Sequence, residues 1–559
     1  MNLKLIDGVR RSLLAMLCLG GSLTWAQGPP LRVAVSEFKV SGNSLLPQAR
    51  LDAALQPFLG ERSLDELKQA ALAVQDLYRQ AGYGGVIAYL PEQSGPAGVA
   101  SIKVLEGRIT RVNISGNQVF SSANIRRSLP LLAPGLTPQV VLIDAQIQLA
   151  NENPAKQVAV SLEAGQHPGE VDVQVSVSER PARHWSVGLD NTGNASTGRL
   201  RSNVSMVQAD LWDLDHVLSL QFQFAPEKPR AVAVASVSYR VPFYAQGLIL
   251  DGFLARSNVD GGSASTAAGP LQFSGRGEIA AARLTQHLPR QGEVDQRLVL
   301  GLDQRIYIND CRISGLPAGA CGSAGESVVV HPLSLEYQAQ RGGENPLGLN
   351  FSAVHNLALG GRYGSAAQFE AVRAGATRHY LSLRMNGFGG LALPSGWQLQ
   401  GRLNGQYSPD ALVSGEQLGL GGASSVRGYE EREIVGDSGF FAALELHGPD
   451  VAKRLSGIFG ARSLGTTEAT QAAAGTASAA PAFDLRLLAF TDAGRVSNQG
   501  GLPCREAQTR CSLASFGLGA RLSAGPLQVR LDVAQALRAG QRTAANDLTL
   551  HFMANYSFL

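Results

Sequence analysis

The sequence predicts a mainly β protein: a transmembrane barrel of sixteen strands, preceded by two small α/β modules that each run β-α-α-β-β. Three observations predict it. Glycine is abundant, at 64 of 559 residues, and mean hydropathy is near zero. Yet after the first thirty residues no stretch stays apolar long enough to form a membrane helix. From about His184 onward apolar and polar residues alternate with period two, which suits strands with one lipid-facing and one water-facing side. Between residues 31 and 181 one pattern occurs twice. The net charge of +3 excludes little, and no concentrated basic patch suggests a nucleic-acid partner.

Residues 1–26 read as a secretory signal. Lys4, Arg10 and Arg11 supply positive charge, residues 12–23 form a short apolar core, and Thr24-Trp25-Ala26 offers a small-x-small cleavage site before Gln27. Leu17 before Cys18 argues against a lipoprotein signal.

The two modules are expected at residues 31–108 and 109–181. Phe38-Lys39-Val40-Ser41-Gly42-Asn43 matches Val112-Asn113-Ile114-Ser115-Gly116-Asn117, with the Gly-Asn pairs 74 residues apart. Each copy opens with a short strand ending in that turn. In the first copy Pro47 suits a helix start, and Ser63 with Glu66 forms a capping box for a second helix that stops at Gly82. Leu64, Leu67, Ala71, Val74, Leu77 and Ala81 keep helical spacing and should form its core face. Strands follow at Val86–Leu90 and Ala100–Leu105. In the second copy Thr137 and Pro138 should open the longer helix, with strands at Val158–Leu162 and Val171–Val177. This order resembles the POTRA module, a periplasmic domain whose exposed strand edge can accept an extended client by β-augmentation.

The barrel is expected over residues 182–559. Leu218, Leu220, Phe222 and Phe224 alternate with Ser219, Gln221 and Gln223, and Leu527, Val529, Leu531 and Val533 with Gln528, Arg530 and Asp532. An arginine and an aspartate facing inward on such a strand suit a wet lumen and not a dry core. Sixteen such runs are even in number, as closure requires. If the first strand rises from the module side, the loop at 411–437 and both remaining cysteine pairs fall at the far end. Those pairs, Cys311 with Cys321 and Cys504 with Cys511, lack nearby histidines or CxxC spacing, so local disulfides are expected, not metal sites. Residues 447–482, rich in Ala, Gly, Thr and Ser, form a long connection on the module side with no evident role.

The stretch on which the chain turns is Gly415 to Tyr429, a glycine-rich run that delivers Arg427 at a loop tip. Asp484, Arg486 and Asp492 share the polar side of a later strand, where an in-folded arginine would find its acid. At these residues a family resemblance becomes specific. Val426-Arg427-Gly428-Tyr429 resembles the Val-Arg-Gly-aromatic tetrad in the sixth extracellular loop of the outer-membrane insertase and translocase superfamily. Phe490-Thr491-Asp492-Ala493-Gly494 resembles its Phe-x-Asp-x-Gly partner on the barrel wall. The final strand, with Phe552, Tyr556 and Phe558, resembles the outer-membrane targeting signal, although Leu559 follows the last aromatic.

Two POTRA-like modules, a sixteen-stranded barrel and both motifs look like the TpsB transporters of two-partner secretion, the hemolysin and filamentous-adhesin secretion family. The resemblance implies an outer-membrane pore that exports one large β-rich exoprotein. In such a pore Arg427 and Asp492 hold the loop in the lumen, Gly428 permits the tight backbone and Tyr429 packs beside it. It also implies dependence on the barrel-assembly machinery for insertion. Many such transporters begin with a helix that plugs the pore, and Gln27 to Pro30 leave no room for one. Two other functions fit parts of the pattern. An insertase of other barrels would usually carry more POTRA copies, and a passive porin explains neither the modules nor the motifs. No G-x-S-x-G elbow, H-E-x-x-H, P-loop or CxxC pair is present, so no enzyme activity, cofactor or metal is expected.

Overall fold

The computed structural model describes residues 32–451 and 483–558, apart from 94, 95, 97, 196, 230, 231, 259–261, 267, 268, 274, 275, 309–325, 506 and 507. The signal at 1–26, Cys311 and Cys321, and most of the 447–482 connection lie outside the described residues. The chain divides into two compact units, one of residues up to 108 with 164–171, the other of 109–163 with 172–559.

The first unit runs β1 (Arg32–Val35), β2 (Glu37–Ser41), α1 (Gln48–Leu55), β3 (Gly60–Ser63), α2 (Leu64–Gln80), β4 (Val86–Tyr89) and β5 (Val99–Glu106). A three-stranded sheet in the order β2-β5-β4 carries the helices, and β1 pairs with β3 in a small sheet that the sequence pattern does not foretell. The capping box is present: Glu66 N–H donates to Ser63 Oγ at 3.3 Å, and Ser63 N–H to Glu66 Oε2 at 2.7 Å. Leu67, Ala71 and Val74 are buried, joined by Ala70 and Tyr78, each large side chain contributing on the order of 2 kcal/mol. Leu64 departs from the expected stripe and is 60% exposed. It is the first helical residue, and helical side chains lean toward the N-terminus, so it projects past the packed face.

The Gly-Asn turn is where the two modules agree in detail. Gly42 has φ +83°, and a Cβ there would lie 2.2 Å from the Val104 carbonyl oxygen. Gly116, at φ +86°, meets the Val177 carbonyl at the same distance. Asn43 accepts from Leu46 N–H at 3.1 Å, and Asn117 donates to the Phe120 carbonyl at 3.0 Å. Each turn also sits on a carboxylate from the end of its module's last strand, a device missed in the sequence. Glu106 accepts from Ser44 N–H, Leu45 N–H and Tyr78 Oη, and Glu179 from the N–H groups of Gln118, Val119 and Phe120.

In the second unit β6 (Arg108–Ser115), α3 (Ser122–Ser128), α4 (Val140–Ala150), β7 (Lys156–Ala164) and β8 (Glu170–Glu179) repeat the β-α-α-β-β order, with sheet order β6-β8-β7. Here α4 starts at Val140 after Gln139, with no side-chain cap, so Thr137 does not serve as one. The barrel strands follow: β9 (Arg183–Asp190), β10 (Arg201–Leu211), β11 (His216–Phe224), β12 (Ala233–Phe243), β13 (Leu248–Asn258), β14 (Arg276–Gln291), β15 (Val294–Ile308) and β16 (Val328–Val330, resuming at Pro332–Arg341). After them come β17 (Leu347–Asn356), α5 (Ala366–Val372), β18 (Leu381–Ala392), β19 (Gln398–Tyr407), β20 (Ser438–His447), β21 (Asp484–Ser497), β22 (Arg510–Ala524), β23 (Leu527–Ala536) and β24 (Leu548–Phe558).

These strands form a closed antiparallel ring of sixteen, sealed where β24 meets β9 from Met553 opposite Asp190 to Phe558 opposite Trp185. The break in β16 does not shift register: Pro332 has no N–H to give, and His331 N–H turns to Asn356 Oδ1 at 2.6 Å. Leu254, Leu302, Leu444, Leu518, Tyr556 and Phe558 stand exposed on the outer face, as a lipid-facing wall demands.

The second module is fastened to the barrel base. Lys156 is fully buried, donates to Asp215 Oδ2 at 2.5 Å and to Asn124 Oδ1 at 2.7 Å, and lies 5.0 Å from the Phe120 ring centroid. Tyr244 Oη donates to the same Asp215 oxygen at 2.6 Å, and Asn153 Nδ2 to the Ala209 carbonyl at 2.7 Å. Burial pulls the Lys156 ammonium below its ordinary pKa, against the pull of Asp215.

Two predictions follow from these contacts. Asp215→Ala strands a buried ammonium, which costs on the order of 3–5 kcal/mol. It should loosen the second module at the base, read as faster hydrogen exchange over α3 and β7. In the first module, hydrogen bonds from the Ser63 backbone and side chain hold Glu66 down at about 2. Glu106 lies below its ordinary value because the Ser44 and Tyr78 bonds outweigh its burial. Both folded values are depressed, so this stabilisation is complete above roughly pH 4.3 and is lost as pH falls through the folded values. Protection of the Ser63 amide, which the Glu66 carboxylate holds, and of the Ser44 amide, which Glu106 holds, should therefore fall below pH 4 in the wild type. Glu66→Gln should remove that pH dependence at Ser63 and leave it at Ser44.

Candidate functional site: the loop seated in the lumen

Between Tyr407 and Ser438 the chain leaves the rim and folds back into the barrel. Ser414–Glu416 make a short 3-10 turn, Leu418–Leu420 pair with Ile434–Gly436 as a hairpin, and the tip carries the tetrad. The Arg427 side chain is fully buried. Its Nε donates to Asp492 Oδ2 at 2.7 Å and its Nη2 to Asp492 Oδ1 at 2.8 Å, a two-pronged fork, while its backbone N–H reaches Oδ2 at 3.1 Å. Nη1 donates to Glu445 Oε1 at 2.6 Å and lies 3.6 Å from Asp532 Oδ2. The guanidinium carbon sits 3.5 Å from the Phe490 ring centroid.

From Phe490 to Gly494 every second residue of β21 meets the loop, because alternate strand residues share one face. Phe490 underlies the guanidinium and Asp492 grips it. A Cβ on Gly494 would come within 2.7 Å of Leu420 Cδ1, so this glycine makes room for the hairpin. Gly428, at φ +92°, lets its N–H reach His551 Nε2 at 2.9 Å while its carbonyl accepts from Thr549 Oγ1 at 3.0 Å. Tyr429 Oη lies 2.8 Å from both the Ala514 and Arg538 carbonyls. Val426 and Tyr429 pack with Leu420, Ile434 and the Cys504–Cys511 disulfide of the β21–β22 loop.

The sequence places Arg530 and Asp532 on the inner face but not their part in seating the loop, and it does not single out Glu445, Glu416 or Asp437. Glu445 and Asp532 complete an inward cluster with Arg402, Arg521 and Arg530, in which Arg521 and Arg530 both bond Asp532 at 2.7 Å. Glu445, the one acid in the apolar run of β20, was visible as an oddity. Glu416 is a second anchor: its carboxylate accepts from Arg305 at 2.9 and 3.1 Å, from Arg384 at 3.1 Å and from Tyr307 Oη at 2.8 Å. Asp437 binds Arg373 Nη2 at 2.9 Å and the Leu412 and Gln499 amides at 2.9 and 2.8 Å, joining three outer loops. The Glu416 contacts fall on β15 and β18, whereas the tip contacts run from β20 to β24. In a ring of sixteen, β15 and β23 are half a turn apart, so the loop crosses the lumen and is held at opposite walls.

The fold and this locked loop define a class: an outer-membrane translocase barrel with soluble modules at one end and an in-folded loop clamped to its inner wall. Residues 33–107 match the ShlB-type POTRA domain, and residues 169–315 and 350–522 match the haemolysin secretion/activation proteins ShlB/FhaC/HecB. The chain belongs to that haemolysin secretion/activation family. It is 26% identical over 435 residues to the outer membrane transporter CdiB of Dickeya dadantii (strain 3937), covering 75% of this chain and 73% of the relative. It is 22% identical over 410 residues to the heme/hemopexin transporter protein HuxB of Haemophilus influenzae, covering 70% and 67%. CdiB from Escherichia coli shares the fold at a TM-score of 0.72, with 19% identity over 96% of this chain and 92% of that one. The protein is an outer-membrane transporter of two-partner secretion, with its POTRA region in the periplasm. The seated loop therefore enters from the cell-surface end.

With anchors on both walls, cutting one should not free the loop. A cysteine placed at the buried Ser425 should stay protected from a membrane-impermeant maleimide in intact cells, both in the parent and with Arg427→Ala. It should become labelled when Glu416→Ala is added; labelling with Arg427→Ala alone would show that the tip fork holds the loop unaided.

Proposed function

We propose that this chain exports a single large, β-rich exoprotein from the periplasm to the cell surface. The client is captured in extended form by the strand edges of the modules at 31–108 and 109–181, passes through the lumen of the 182–559 barrel and folds outside. No ATP is needed, because surface folding supplies the direction. Arg427 and Asp492 set the working position of the loop, Gly428 allows its tight approach and Tyr429 wedges it against the wall. The signal at 1–26 directs export, and the final strand, with Phe552, Tyr556 and Phe558, addresses the chain to the barrel-assembly machinery.

The observation that carries this reading is the buried fork between Arg427 and Asp492. A buried ion pair is weak support for stability, because desolvation offsets attraction, and its value here is conformational specificity. Passive diffusion would not require a loop held in one position. Arg427→Ala and Asp492→Ala should each leave a folded, heat-modifiable barrel whose exoprotein secretion falls by roughly tenfold or more. Wild-type secretion from both would remove the role. Deleting the chain should cost the cell one secreted protein; loss of many outer-membrane proteins instead would point to an insertase.

A further inference from the structure

We propose that the inner face of β9–β12 is the track along which the extended client slides, an inference that rests on the export reading above. Which residues face inward follows from the register. Arg305 reaches the loop, so Gly301, four residues earlier on β15, shares its inner face. Opposite residues on neighbouring strands also share a face. The inner face then passes from Gly301 to Arg283, Asp251, Arg240 and Val217, and through Ser219 and Val207 on to the Asn203–Gly188 pair. An independent sign agrees: Gln221 and Gln223 line one cavity with Arg402, Arg530 and Asp532, which belong to the lumen cluster.

Traced this way, the two walls differ in chemistry. On β9–β12 the charged inward residues are Asp190 and Arg201 at the top and Arg240 near the base, beside the level of His184. Between them every inward position is uncharged, and Ser186, Asn203, Ser205, Ser219, Gln221 and Ser236 dominate. On the far side Arg384, Arg402, Glu445, Asp492 and Asp532 face in, and they hold the loop or one another.

Position supports the same assignment. The named loop anchors lie on β15 and β18–β24, and a cavity of about 310 Å³ separates loop residues Ala423, Ser424 and Glu431 from Gly188, Asn203, Gln221 and Gln223. Below, the second module is fastened through Asp215 and Tyr244, in the turns beneath β10–β11 and β12–β13. It is also fastened through Glu152, which meets Arg240 of β12 at 3.5 Å and Arg297 of β15 at 3.0 Å, so the foot of β10–β12 lies within its footprint. Hydroxyl and amide groups exchange hydrogen bonds with a passing backbone at little net gain, so they hold no segment for long. A fixed charge would detain every oppositely charged client residue and repel every like one, an effect that strengthens where water is confined. A neutral wall suits a partner that is an unfolded polypeptide of mixed sequence.

The test places charges on the two walls. The probe is the secreted protein that disappears from the culture medium when this chain is deleted. Ser205→Lys, Ser205→Glu, Gln221→Lys and Gln221→Glu should each lower its secretion roughly tenfold in barrels that remain heat-modifiable. Gln221→Asn should not, nor should lysine or glutamate at Asn386 or Asn404, neutral inward residues of β18 and β19 on the opposite wall. Ser236→Lys and Ser236→Glu replace any variant that fails to assemble. Equal loss from both walls, no loss, or loss with one sign only overturns the track. If deletion removes no single secreted protein, it is the export reading that fails.

Discussion

Everything at the heart of this molecule depends on a guanidinium that has been taken out of water. Arg427 could not be buried at the end of a flexible loop without a carboxylate waiting in fixed geometry, and Asp492 supplies it as a two-pronged partner on a rigid strand. The ring makes that rigidity possible. Each of its strands is hydrogen-bonded on both sides, so the inner positions of β20, β21 and β23 present Glu445, Asp492 and Asp532 at nearly fixed points. The loop is thus referenced to the wall by direction as well as by charge.

The surroundings of that fork have complementary shapes. Phe490 provides a flat surface beneath the cation and Gly494 provides absence, a gap into which Leu420 fits. Glu416 does at the opposite wall what Asp492 does at the tip, though with two arginines and a tyrosine converging on one acid. A loop held at both walls is a partition. It leaves part of the lumen charged and occupied, and part neutral and open.

At the periplasmic end the same principle recurs in a different setting. Lys156 is buried against Asp215 and capped by Phe120, so the second module meets the barrel through one satisfied polar network inside an apolar seam. Such a junction tolerates little tilt, because any displacement exposes an unpaired charge to a dry environment. The modules' own turns follow a related rule, with Glu106 and Glu179 gathering backbone N–H groups that the Gly-Asn corners leave pointing one way.

The sequence by itself determined whatever repeats or is local. Period-two alternation marks the strands, since lipid and water impose opposite demands on successive residues. Ser63 and Glu66 announce their helix because a capping box spans four residues. The two motifs at 426–429 and 490–494 reveal the loop and its wall, because a buried arginine must have an acid and the alternation says which acids face in. Tertiary structure alone decided the rest, and for one reason: those contacts join residues far apart in sequence that share no period. Glu416 meets Arg305 across 111 residues, Lys156 meets Asp215 across 59, and only closure of the ring sets them side by side. Leu64 errs in the other direction, a residue with the right spacing whose place at the helix end leaves it nothing to pack against.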